Sequence, residues 1–208
     1  MPDNTLSSLS RKSPLARFWG GTDHAVISAD SVSVTELPFQ GVIKLQCRNC
    51  SPQFLAAVKS VLSVELPQVP NTRVGESPVC LWVAPNEWLL ITPAGDDAAL
   101  AEQLSQHLAQ SLPEDNVAVT LISDSRTVLE ITGAAAVELI AKGCGLDLHP
   151  EQFNEGQCAV SLLEQIPMTL YVEKAELEYR MLVDRSYAAF AWEWLAHALK
   201  EFKYKQVD

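Results

Sequence analysis

Positive charge is scarce in this sequence: 15 Lys and Arg stand against 26 Asp and Glu over 208 residues, a formal charge of -11. That excess repels polyphosphate and anionic lipid over the distances at which association is steered, which argues against nucleic-acid binding. Long apolar runs are missing as well. No stretch is apolar for long enough to cross a bilayer, and Met1 to Lys12 holds no apolar segment of signal-peptide length, so a cytoplasmic protein is expected. The cysteines are few and odd in number, five from Cys47 to Cys158, which fits a reducing compartment and buried thiols better than a disulfide framework.

Signatures of cofactor and nucleophile chemistry are also missing. No Gly-x-Gly-x-x-Gly follows a strand and no glycine-rich loop ends in Lys-Ser or Lys-Thr, which leaves no dinucleotide fingerprint and no nucleotide-phosphate loop. Gly-x-Ser-x-Gly and His-Glu-x-x-His are absent too. The sequence therefore predicts a chain with no active site, cofactor or metal of its own.

What is present is a globular composition, 48% hydrophobic and 20% charged. Residues 1–20 are serine-rich and lack apolar periodicity, and a flexible tail is expected there. Gly41 to Cys47 alternates as a half-buried strand does. Pro52 then suits the first turn of a helix that carries Phe54, Leu55, Val58, Val61 and Leu62 at helical spacing. Pro67 to Pro78 reads as a loop, and Val79 to Val83 and Trp88 to Thr92 as a hairpin with a four-residue connection. Gly95-Asp96-Asp97 begins a helix with Leu100, Leu104 and Leu108 on one stripe.

The second half repeats this order. Val128 to Thr132 predicts a strand, Ala134 to Lys142 a helix stopped by Gly143, and Cys158 to Ile166, Met168 to Val172 and Tyr179 to Val183 further strands. A last helix starts after Ser186, whose hydroxyl suits a cap. Val42-Ile-Lys-Leu45 echoes Val128-Leu-Glu-Ile131. These elements predict an α+β fold, with residues 21–208 as one domain of two pseudo-repeats, about 41–111 and 127–202. Each is a strand-helix-hairpin-helix half, and together they form a mixed sheet covered by helices.

Four places invite a functional reading. Cys47-Arg-Asn-Cys50 has the spacing of a metal or redox pair, but no second pair or His pair supports it, so reduced thiols at a strand end are expected. Cys144, Asp147 and His149 gather in Gly143-Cys-Gly-Leu-Asp-Leu-His-Pro150, where the expected role is a structural turn with His149 bonding backbone. Arg126 follows Asp124-Ser125, which suits a turn in which Arg pairs a carboxylate, or a contact with a partner chain or anion. In the last helix Tyr187, Phe190, Ala191, Trp194, Leu195, Ala198, Leu199 and Phe202 make the core stripe, and Trp192 falls beside it. An aromatic outside the stripe is a candidate interface residue.

Trp82-Val-Ala-Pro-Asn-Glu-Trp-Leu-Leu90, Asp124-Ser-Arg-Thr-Val-Leu129, Ala141-Lys-Gly-Cys-Gly-Leu-Asp-Leu-His-Pro150 and Asp184-Arg-Ser-Tyr187 together resemble the gamma subunit of heterotetrameric sarcosine oxidase. The order of elements in the second half is similar, more distantly, to the folate-binding domain of the glycine-cleavage T-protein. The resemblance implies an enzyme of four chains that demethylates sarcosine to glycine, with hydrogen peroxide and, from tetrahydrofolate, methylenetetrahydrofolate as further products. It implies that the alpha, beta and delta subunits carry the FAD, FMN, NAD, zinc and tetrahydrofolate, and that gamma acts by packing against them. Arg126, Cys144, Asp147, His149 and Trp192 are then the expected partner contacts. The alternative expectation is a folate-binding or aminomethyl-transferring protein acting alone.

Overall fold

The computed structural model describes residues 11–48, 50–112 and 116–203. Its strands are β1 (Val26–Ala29), β2 (Val32–Leu37), β3 (Gly41–Cys47), β4 (Arg73–Val74), β5 (Val79–Ala84), β6 (Glu87–Thr92), β7 (Val117–Leu121), β8 (Arg126–Thr132), β9 (Cys158–Leu163), β10 (Ile166–Lys174) and β11 (Glu178–Asp184). Among the described residues four α-helices accompany them, α1 (Pro52–Leu62), α2 (Asp97–Ser111), α3 (Ala136–Ala141) and α4 (Ala188–Ala198). The class is α+β, as expected. The expected single mixed sheet is instead two sheets, with strand orders β1-β2-β8-β11-β10-β9 and β4-β5-β6-β3-β7. Every strand pair among the described residues is antiparallel.

Alternation along the strands decides the layering. In β3, Ile43 and Leu45 face α1 and α2 and pack with Phe54, Val58, Leu104 and Leu108. Val42, on the opposite face, clusters with Leu81 and Ile91 of its own sheet and with Val128, Tyr171 and Leu182 of the other. In β8, Leu129 and Ile131 turn to the cluster that holds Leu139, Ile140, Ala191 and Leu195 of α3 and α4. The layers therefore run helices, sheet, sheet, helices. Each large side chain fully enclosed between them contributes about 1.5–3 kcal/mol of transfer free energy.

The two sheets share one plan: β4-β5-β6-β3-β7 matches β9-β10-β11-β8-β2 position for position. The last place is filled differently in the two sheets. β7 follows its own half, whereas β2 precedes β3 in sequence yet pairs with β8, Leu37 opposite Val128. Backbone pairing thus interlocks the halves. Arg73 on β4 adds a tie between the sheets, donating to Glu173 Oε2 at 2.5 Å and to the Val172 carbonyl at 3.0 Å on β10.

Local chemistry explains the element ends. Ser51 caps α1 by accepting from the Phe54 amide at 3.1 Å. The β5–β6 hairpin turns on Pro85 and Asn86 alone, shorter than the expected connection, because Asn86 takes a positive φ of 62° that asparagine tolerates. The strand expected from Cys158 to Ile166 breaks at Glu164, also at positive φ, into β9 and β10. Helix α4 is entered through a 3-10 turn, Arg185–Tyr187, and its N-cap residue is Tyr187 without a side-chain cap, so Ser186 does not have the expected role.

The expected tail needs correction where it is described. Leu15 is fully enclosed in the core of the larger sheet, and Phe18 and Trp19 pack against the same cluster. The physical reason is a buried carboxylate. Glu36 on β2 is 1% exposed and accepts from Ser13 Oγ, from Trp19 Nε1 at 2.6 Å and from the Ala25 amide at 3.4 Å. Residues 1–10 of that expected tail lie outside the described residues.

Candidate functional site

At one end of the sandwich the chain passes from β7 to β8 through a 3-10 turn, Ser123–Ser125. Ser125 Oγ donates to the Ile122 carbonyl at 2.8 Å and holds this turn. Ser123 is buried: its hydroxyl accepts from the Val42 amide at 2.9 Å and donates to Asp97 Oδ2 at the start of α2. The Ser123 hydroxyl thereby joins β3, α2 and the turn.

Arg126 opens β8 and stands in register with Asp184, the last residue of β11, to which its guanidinium is ion-paired. Burial pulls the Arg126 pKa below its ordinary value, and the negative charge of Glu87 on the other sheet opposes that shift. Its Nε and the Thr127 Oγ1 are buried without a hydrogen-bond partner in the protein. Two further arginines approach. Arg11 pairs with Asp124 at 2.6 Å and lies over the Phe39 ring, and Arg185 donates to the Lys12 carbonyl at 2.7 Å.

Arg11, Ser13, Glu36, Arg126, Thr127 and Arg185 help to line a small, partly open pocket of about 20 Å³, room for one water molecule. Two open clefts of about 770 and 570 Å³ adjoin it around Asp124 and Ser125. No imidazole or thiol lines any of the three, and the Ser123 hydroxyl is committed to Asp97. This arrangement gathers guanidinium donors and carboxylate acceptors around the Asp124–Ser125 turn.

The other expected site residues lie elsewhere. In the Gly143 to Pro150 turn, Cys144 is buried with Sγ 3.7 Å from Ser161 Oγ, while Asp147 and His149 are exposed. Asp147 Oδ1 accepts from the His149 amide at 3.0 Å and His149 Nδ1 accepts from the Glu151 amide at 3.3 Å, so these side chains fix the turn. Gly143 has a packing reason: a Cβ there would stand 2.6 Å from the Trp194 ring. Among the described residues no group of three or more His, Cys, Asp and Glu is placed to hold a metal.

Trp192 needs correction. It is 2% exposed and is enclosed by this chain itself, with the Phe18 ring at 6.1 Å, so it presents no surface to a partner. Phe190 and Tyr187, expected in the core stripe, are exposed instead. The buried stripe is Ala188, Ala191, Trp192, Leu195 and Ala198, rotated because N-terminal residues cover the side on which Trp192 lies. The Cys47 and Cys50 thiols also depart from expectation: they are joined in a disulfide, the turn out of β3 bringing their Cα atoms to 5.6 Å.

Glu36, Asp97 and Ser123 were not legible as site residues. Glu36 did leave a signal, since it continues the Val32, Val34 alternation and so places a carboxylate at a core position. Asp97 and Ser123 left none, because each is partnered far along the chain.

The fold defines the class first. The chain superposes on glycine cleavage system aminomethyltransferase T from Bartonella henselae with a TM-score of 0.64 at 13% identity, over 89% of this chain and 57% of that one. The family is narrower. The model of the "Sarcosine oxidase, gamma subunit family" matches residues 46–201, and the chain belongs to that family. Sarcosine oxidase subunit gamma of Corynebacterium sp. strain P-1 is 29% identical over 97% of both chains, and that of strain U-96 is 28% identical over 100% of both. A chain of the heterotetrameric sarcosine oxidase from Corynebacterium sp. U-96, in complex with pyrrole 2-carboxylate, matches with a TM-score of 0.80 at 27% identity, over 95% of this chain and 99% of that one. Among the described residues no helix is long and apolar enough to cross a membrane.

Proposed function

We propose that this chain is the non-catalytic assembly subunit of a cytoplasmic heterotetrameric sarcosine oxidase. Its near full-length likeness to a chain of such an enzyme carries this reading. The complex oxidises the N-methyl group of sarcosine and yields glycine, hydrogen peroxide and, with tetrahydrofolate, methylenetetrahydrofolate. Alpha, beta and delta subunits hold the FAD, FMN, NAD, zinc and tetrahydrofolate. The gamma-type chain works by docking, with Arg126 in the polar seam it shares with Arg11, Asp124 and Asp184, and with the exposed Asp147 and His149, as contacts. The composition of the seam supports docking rather than chemistry, since it is built of ion pairs and of serine hydroxyls already bonded within the chain.

The test is co-expression with the neighbouring subunits. A single stoichiometric complex is expected, yellow and active towards sarcosine, whereas the chain purified by itself is colourless and inactive. Recovery of this chain unbound from that mixture, or sarcosine turnover by it alone, overturns the reading.

A further inference from the structure

Of the five cysteines, Cys80, Cys144 and Cys158 are free and buried, and burial pushes the thiols of Cys80 and Cys158 up to about 12. Only Cys47 and Cys50 are bonded to each other, and Cys50 is half-buried, open to small reagents. The bridge is not what positions its surroundings. The Cys47 amide donates to the Asn86 carbonyl at 3.1 Å and the Arg48 amide to the Asn116 carbonyl at 2.9 Å, which ends β3 against its neighbours. Helix α1 begins on the Ser51 cap, with the Leu55 amide on the Ser51 carbonyl at 3.1 Å. Strand end and helix start are thus each held by bonds that do not involve the sulfurs. A bridge between residues so close in sequence also removes far less freedom from the unfolded chain than one that closes a long loop.

Cys50 precedes the cap of an eleven-residue helix, where the positive end of the helix dipole favours negative charge. Thiol–disulfide exchange needs that charge, because a thiolate attacks and a thiolate leaves. We propose that Cys47 and Cys50 form a reversible redox pair that exchanges with small-molecule thiols and disulfides of the glutathione class. In oxidation, one protein thiolate attacks the small disulfide and expels one small thiol. The second protein thiolate then attacks the mixed disulfide and expels the other, so two protein thiols are oxidised, one disulfide is reduced and two small thiols are released. Reduction is the reverse.

The test equilibrates the full chain in buffers of graded reduced and oxidised glutathione, quenches with acid, alkylates and counts thiols by mass. The native protein should step from five alkylated thiols to three across the series, with the circular dichroism spectrum unchanged and the melting temperature lower by only a few degrees in the reduced state. Cys47→Ser and Cys50→Ser should each abolish the two-thiol step while the fold is retained. Three outcomes overturn the proposal: a bridge that opens only in denaturant, no bridge even in fully oxidised glutathione, or loss of structure on reduction.

Discussion

The indole Nε1 of Trp19 donates to Oε2 of Glu36 at 2.6 Å, and this bond fastens the segment before β1 to the second strand. Glu36→Gln keeps the size but turns an amide donor towards groups that themselves donate. A loss of about 2 kcal/mol is expected, since bonds to a charged group contribute roughly 1.5–3 kcal/mol. Chemical denaturation of Glu36→Gln, Trp19→Phe and the double variant measures the coupling. Additive losses would show that the two side chains are independent.

Arg73 bridges the sheets from a site where its side chain is 8% exposed, with the Glu173 carboxylate 2.5 Å away. Removing one member of such a pair strands the other. Arg73→Met should cost about 3–5 kcal/mol, and Arg73→Met with Glu173→Leu much less, read from urea midpoints.

Alkaline pH should weaken the fold through the buried thiols. Cys80 and Cys158 shift from the usual 9.0 to about 12 because burial disfavours their thiolates. Above pH 9 the unfolded chain releases these protons while the folded chain keeps them until about 12, so unfolding is favoured as pH rises through that window. Each thiol adds a slope of about 1.4 kcal/mol per pH unit. Cys80→Ala and Cys158→Ala should each flatten the stability profile by that amount, whatever their effect at neutral pH.

Two aromatics of α4 should behave oppositely. Trp192→Ala empties a core position and is expected to cost about 3–5 kcal/mol. Phe190, 48% exposed, should tolerate Ala within about 0.5 kcal/mol in the isolated chain. Equal losses for the two would contradict the rotation of the buried stripe.

Periodicity was a good guide where one face of an element meets one core. The stripe Phe54, Val58 and Leu62 and the alternation through Ile43 and Leu45 are short-range consequences of residue order, and the structure has both. The same logic missed β1, β2 and β7. In β2, Glu36 interrupts an apolar alternation, and only Ser13, Trp19 and Ala25, brought from an earlier segment, make a carboxylate tolerable there. Arg126 was legible as the partner of a carboxylate, but nothing local says that this carboxylate is Asp184, or that Asp97 closes the seam through Ser123.

Residue order by itself determined the α+β class, most helices and hairpins, and the lack of nucleotide-binding loops, because these follow from turn chemistry and from spacing within a few residues. Tertiary structure alone decided that β2 crosses to complete the sheet of the second half and that Trp192 faces inward. Each depends on which distant surfaces cover one another, and that is settled when the whole chain packs.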